Sequence, residues 1–131
     1  MKHNSIDNLK IIKSEVELIN KDTKIIAVSK TFPVETINPL IDFGHTHFGE
    51  NKVQEAIEKW TKLKQENKQI KLHLIGKLQT NKVKFVLPLF DYIHSLDNIR
   101  LAEKIASEQK KNNRNLKIFI QVNIGNEPQK S

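Results

Sequence analysis

Lys24-Ile25-Ile26-Ala27-Val28-Ser29-Lys30-Thr31-Phe32-Pro33 is the stretch from which the fold of this chain is read. Ile25 to Val28 is a short unbroken apolar run, which marks a strand buried on both faces rather than one with a wet side. The run empties into a loop that Pro33 opens, and residues 34–43 then read as a helix ended by Gly44. Lys30 is thereby expected at the mouth of a core. Desolvation there penalises the ammonium form, so the pKa falls and the amine becomes a nucleophile able to form a Schiff base with an aldehyde. The alternative is a strand-ending lysine that snorkels into water.

Upstream, residues 5–20 read as a helix, with Ile6, Leu9, Ile12 (or Lys13), Val16 and Ile19 at helical spacing and Ser5 or Asp7 as the cap. Downstream, residues 46–48 form a second strand. Residues 51–67 form a helix with Val53, Ala56, Ile57, Trp60 and Leu63 on one face, and Glu50 or Asn51 as its cap. A third strand at 72–75 is closed by Gly76, and a short helix at 79–87 is stopped by Pro88. A fourth strand at 92–96, a helix at 98–111 and a fifth strand at 116–124 complete the series. Pro39 lacks an amide donor, so a kink or early stop is expected in the second helix.

Strands alternating with helices predict an α/β fold, its sheet parallel and covered by helices. An open doubly wound sheet and part of a (β/α)8 barrel both fit. No glycine-rich phosphate loop follows the first strand, so a dinucleotide fold would lack its usual chemistry. A full barrel takes about 250 residues, leaving this chain room for about five of the eight units. Residues 1–131 read as one domain that stops in a loop soon after a strand.

The composition narrows the classes further. The 37% of hydrophobic residues suffices for a modest core, and no apolar stretch approaches the ~20 residues of a membrane span. Residues 1–5 lead into no apolar segment, so cytoplasm is the expected compartment and no membrane association is expected. The absence of cysteine excludes disulfide and thiol chemistry. A formal charge of +7 invites nucleic acid, but the lysines are spread along the chain and only Arg100 and Arg114 are arginines. Specific nucleic-acid recognition favours arginine forks, so none is expected. His45 and His47 share a strand face but have no third ligand at suggestive spacing, so no metal site is expected. Ser29 and Ser95 lie outside any nucleophile-elbow sequence. Trp60 sits at helix-core spacing, as packing.

Polar residues gather where the strands end: Ser29-Lys30-Thr31, then Phe48-Gly49-Glu50-Asn51-Lys52-Val53-Gln54-Glu55, then His73-Leu74-Ile75-Gly76-Lys77-Leu78-Gln79-Thr80-Asn81-Lys82. Chemistry in parallel α/β folds sits at those carboxyl ends. With Ala27-Val28 before the first, these runs resemble the pyridoxal phosphate homeostasis protein family. His94-Ser95-Leu96-Asp97, Val122-Asn123-Ile124 and the tail Glu127, Gln129-Lys130-Ser131 fit the same pattern, so the resemblance extends in order over nearly the whole chain.

The resemblance implies a (β/α)8 TIM-type barrel similar to the N-terminal domain of alanine racemase, a fold-type III-like arrangement for pyridoxal 5′-phosphate (PLP). It implies that PLP is held by a lysine Schiff base at Lys30. Asn51 would lie beside the cofactor and hydrogen-bond its ring hydroxyl, with His73 and Ile75 on the strand beneath the ring. It implies intracellular PLP homeostasis without catalytic turnover, with apo PLP-dependent enzymes as recipients. The alternative is a fragment of a PLP-dependent amino-acid racemase-like enzyme, which needs a second base that nothing here supplies. The family's barrel continues past the position of Ser131, and that remainder carries its last strands and its phosphate-holding loops. A truncated barrel is therefore expected, with sheet edges at 24–29 and 116–124, uncovered apolar interior side chains and weak PLP binding.

Overall fold

The structure is a computed structural model that describes residues 4–125. Helix α1 (Ser5–Ile19) precedes β1 (Ala27–Val28), α2 (Val34–Phe43), β2 (His47–Glu50), α3 (Val53–Glu66) and β3 (Lys71–Leu74). A 3-10 turn at Thr80–Lys82 then runs into α4 (Val83–Val86), followed by β4 (Tyr92–Leu96), α5 (Ile99–Asn112) and β5 (Lys117–Ile120). The tail residues Glu127, Gln129, Lys130 and Ser131 lie outside the described residues.

All five strands are parallel and ordered β1-β2-β3-β4-β5, each paired with its neighbours in sequence. A doubly wound sheet reverses its strand order at a switch point. This order never reverses, which is how the wall of a (β/α)8 barrel is built. The structure thus decides between the two architectures that the sequence left open.

One face of the sheet is covered. Phe48, Leu72, Leu74 and Ile93 project from it into a core with Ile37 and Ile41 of α2, Ala56 and Trp60 of α3, and Leu101 and Ile105 of α5. At the amino ends of the strands Asp91 ties three elements together. Its carboxylate accepts from the Leu72 N–H at 2.8 Å and Lys64 Nζ at 2.7 Å through one oxygen, and from Arg114 at 3.0 Å through the other. Burial pushes the Asp91 pKa up, but these donors outweigh it and hold the carboxyl below its ordinary value.

Several boundaries differ from expectation. The edge strands are the shortest relative to it: β1 begins at Ala27 rather than residue 24, and β5 ends at Ile120 rather than 124. An edge strand has one neighbour, so its ladder ends where that single partner ends. β2 runs on to Glu50, which places Glu50 in the sheet; the N-cap of α3 is Lys52, and neither Glu50 nor Asn51 caps it. Asn4 rather than Ser5 or Asp7 holds the N-cap position of α1. Helix α2 is unbroken through Pro39, so no early stop occurs. It ends as expected at Gly44, whose φ of +106° lets the His45 N–H return to the Leu40 carbonyl at 3.0 Å.

Candidate functional site

The other face of the sheet is open. Register places Val28, Gly49, His73, Tyr92 and Lys117 in one row across it. Side chains two residues apart on a strand share a face, so Ile75, His94 and Phe119 continue that face toward the carboxyl ends, with Asn51 just past β2 and Lys30 in the turn that follows β1. Of the four residues singled out for the cofactor, His73 lies in β3 with Ile75 just beyond it, Asn51 follows β2, and Lys30 lies in the turn after β1. The ladder continues past the strand ends to support these positions: Ser29 N–H donates to the Gly49 carbonyl, and Ile75 N–H to the Glu50 carbonyl, both at 2.9 Å.

Lys30 is exposed. The desolvation expected of it is absent, because β1 is an edge strand whose open face has no cover among the described residues; Val28 beside it is half exposed as well. Its backbone is nevertheless closely held. Phe32 N–H closes a turn onto the Ser29 carbonyl at 3.2 Å, and Thr31 takes the left-handed conformation at φ +66°.

Asn51 is half-buried, and its Oδ1 is buried without a hydrogen-bond partner. A buried polar atom left unpaired is costly, so such an atom at a strand end marks a place for a ligand group. That free acceptor fits a hydroxyl-bearing ring such as that of PLP. Gly76 backs directly onto this residue: a Cβ there would stand 2.4 Å from the Asn51 carbonyl oxygen, so only glycine fits. A Cβ on Gly49 would stand 3.1 Å from Ile26 and 3.3 Å from Ile75, so its missing side chain lets those two close over the sheet.

His73 is buried, and both of its ring nitrogens are engaged. His47 Nδ1 lies 2.9 Å from His73 Nε2, and His73 Nδ1 lies 2.9 Å from His94 Nε2. Tyr92 stacks on the His73 ring at 4.0 Å, and Phe119 on the His94 ring at 4.6 Å. Burial pushes the His73 pKa down to about 4, and the neighbouring His47 and His94 add to the shift. A neutral imidazole has one donor and one acceptor nitrogen, so His73 in this chain has neither to spare. It can support a ring from below and cannot hydrogen-bond it. His47 and His94 were not read as partners of His73, since register across three strands is needed to see them.

One network is not legible in the sequence, where Glu50 reads as a helix cap and Lys59 as a helix residue. Glu50, Lys59 and Glu55 form an ion-pair network behind the loop that carries Lys30. The only hint in the sequence was the i,i+4 spacing of Glu55 and Lys59, which ordinarily marks a wet helix face. Trp60 packs as expected, with no exposure, and its Nε1 also donates to Glu50 at 3.0 Å. Among the described residues no group of three or more His, Asp or Glu side chains is arranged to hold a metal ion. None of the described helices is long and apolar enough to cross a membrane.

Residues 4–127 match the family described as alanine racemase, N-terminal domain. The chain is 42% identical over 108 residues to the pyridoxal phosphate homeostasis protein of Pasteurella multocida, covering 82% of this chain and 46% of that protein. It is 35% identical over 131 residues to the pyridoxal phosphate homeostasis protein of Haemophilus influenzae, covering 95% of this chain and 55% of that one. Among solved structures, PipY of Synechococcus elongatus without PLP superposes with a TM-score of 0.78 at 35% identity, covering 92% of this chain and 57% of PipY. PipY with PLP bound gives 0.73 at the same identity, covering 86% and 55%. The chain spans about half the length of the curated relatives it matches.

Proposed function

The chain belongs to the alanine racemase N-terminal domain family, and on that premise we propose that it binds PLP through Lys30 and serves PLP homeostasis without turnover. The observation that supports this is Asn51 Oδ1, buried and unpartnered just past the carboxyl end of β2, with Lys30 exposed in the turn that follows the neighbouring β1. The names of the curated relatives and the PLP held by PipY support it. PLP supplies an aldehyde. Lys30 would hold that aldehyde through its amine. Asn51 would orient the ring through its unpartnered Oδ1, with His73 and Ile75 as the residues that would support it. The curated relatives' names, homeostasis protein, favour holding the aldehyde over turnover. The reading extends to residues 1–131 as one domain of partial-barrel type, acting in the cytoplasm with apo PLP-dependent enzymes as recipients.

The test is a PLP titration followed by visible absorbance, then borohydride reduction and peptide mapping. A single label on Lys30 that disappears in Lys30→Ala is expected. Labels scattered over many lysines would overturn the assignment. Amino-acid racemisation above the rate of free PLP would instead mark an enzyme.

A further inference from the structure

Glu50 ends β2 on the covered face with no exposure, and one of its oxygens gathers three donors. Ser29 Oγ reaches Glu50 Oε2 at 2.6 Å, Trp60 Nε1 at 3.0 Å and Lys59 Nζ at 2.9 Å. Lys59, itself almost wholly buried, is thereby fixed beneath the β1 loop. From there it donates to the Ser29 carbonyl at 2.7 Å and the Phe32 carbonyl at 2.8 Å, and it pairs with Glu55 at 3.0 Å. Glu55 in turn accepts the Thr31 N–H at 2.6 Å. The backbone on both sides of Lys30 is therefore bonded to charged side chains of α3, in addition to the ordinary turn bond from Phe32 N–H to the Ser29 carbonyl. Thr31 between them sits at φ +66°, which a β-branched residue adopts only where its surroundings impose it.

A buried ion pair is a poor way to gain stability, because removing two charges from water offsets their attraction. Its better-attested use is to select one geometry among several. We propose that Glu50, Lys59 and Glu55 are positioning residues that clamp the turn at residues 29–32 and so fix the backbone from which Lys30 projects. The inference rests on the assignment of Lys30 proposed above. It adds a reason why an exposed lysine on an edge strand would outcompete the many other lysines of this chain for an aldehyde. The clamp removes backbone freedom before the ligand arrives, so less is lost on binding.

Glu55 is the member to change, since it is partly exposed and the buried Glu50–Lys59 pair survives without it. Thr31 amide hydrogen exchange, PLP affinity by absorbance and the borohydride label map are compared for the natural chain, Glu55→Ala and Glu55→Gln. Glu55→Ala is expected to speed Thr31 exchange, weaken PLP binding about tenfold and shift label from Lys30 to other lysines. Glu55→Gln keeps an acceptor for the Thr31 N–H and is expected to restore most of the Lys30 label. Faster exchange with unchanged affinity and label map would overturn the clamp while leaving the Lys30 assignment standing. Unchanged Thr31 exchange in Glu55→Ala would overturn it too. Absence of Lys30 label in the natural chain would bring down the Lys30 assignment itself, and the clamp's purpose with it.

Discussion

His73 and Leu74 are neighbours in β3 and face opposite sides of the same sheet. Leu74 is fully buried in the core shared with α3, and its face is closed by helices. His73 is buried only by Tyr92 and by His47 and His94 on either side, in a face where Val28 and Phe119 are about half exposed. The covered face carries the apolar burial that stabilises the fold. The open face spends surface on polar and aromatic groups, and at its carboxyl edge it leaves Lys30 reachable and Asn51 Oδ1 unpaired. The apolar burial that stabilises the fold thus lies on one face of the sheet and the proposed PLP-holding groups lie at the carboxyl edge of the other, so substitutions should separate the two.

The largest effect is expected from Glu50→Ala. It leaves Lys59 buried beside the partly exposed Glu55 alone, and the loss should be about 3 kcal/mol in a urea titration. A loss under ~1 kcal/mol would show that the covered face does not depend on this pair. Leu74→Ala should cost a similar amount, ~3 kcal/mol, by opening a cavity in the closed core. Val28→Ala on the open face should stay within about 0.5 kcal/mol, since its side chain is already half in water. Equal costs for the two would erase the distinction between the faces.

The histidine row sharpens the contrast through pH. The folded pKa of His73, about 4, lies below its ordinary 6.5, so the unfolded chain takes up the proton first as pH falls. The stability this group contributes is complete above pH 6.5 and is lost as pH drops toward 4. Burial lowers His47 and His94 as well, so they add the same sign. Urea midpoints at pH 7, 5.5 and 4 should fall in that order, and His73→Phe should flatten the decline. An unchanged slope in His73→Phe would assign the acid lability to other groups. The smallest stability effect is expected from Lys30→Ala, within about 0.5 kcal/mol, because the side chain is exposed. The same variant should abolish the specific PLP label, so a folded protein that has lost its ligand is the sharpest form of the comparison.

The alternation of strands and helices was legible because it depends on local apolar periodicity, and β4 appears at the residues read for it. The barrel-type sheet was legible only as one of two options, since strand order is a relation between segments far apart in sequence. The uncovered apolar side chains expected near the two edges are found at Val28 and at Phe119, Ile120, Val122 and Ile124. Lys30 was correctly placed at a strand end and incorrectly expected to be desolvated, because an apolar run does not reveal how many of its faces will be covered.

The sequence by itself determined which segments become strands and helices, and which polar residues lie at the strand carboxyl ends, because backbone geometry fixes the period of each element. The tertiary structure alone decided that His73 would be saturated by two other histidines, that Asn51 would keep a free acceptor, and that Glu50 would join Lys59 behind the loop of Lys30. Those outcomes depend on register between strands and on which face a helix covers. Both are settled by tertiary packing, between strands 21 and 26 residues apart for the histidines and between a strand and the helix laid over it for Glu50 and Lys59, where local periodicity carries no information.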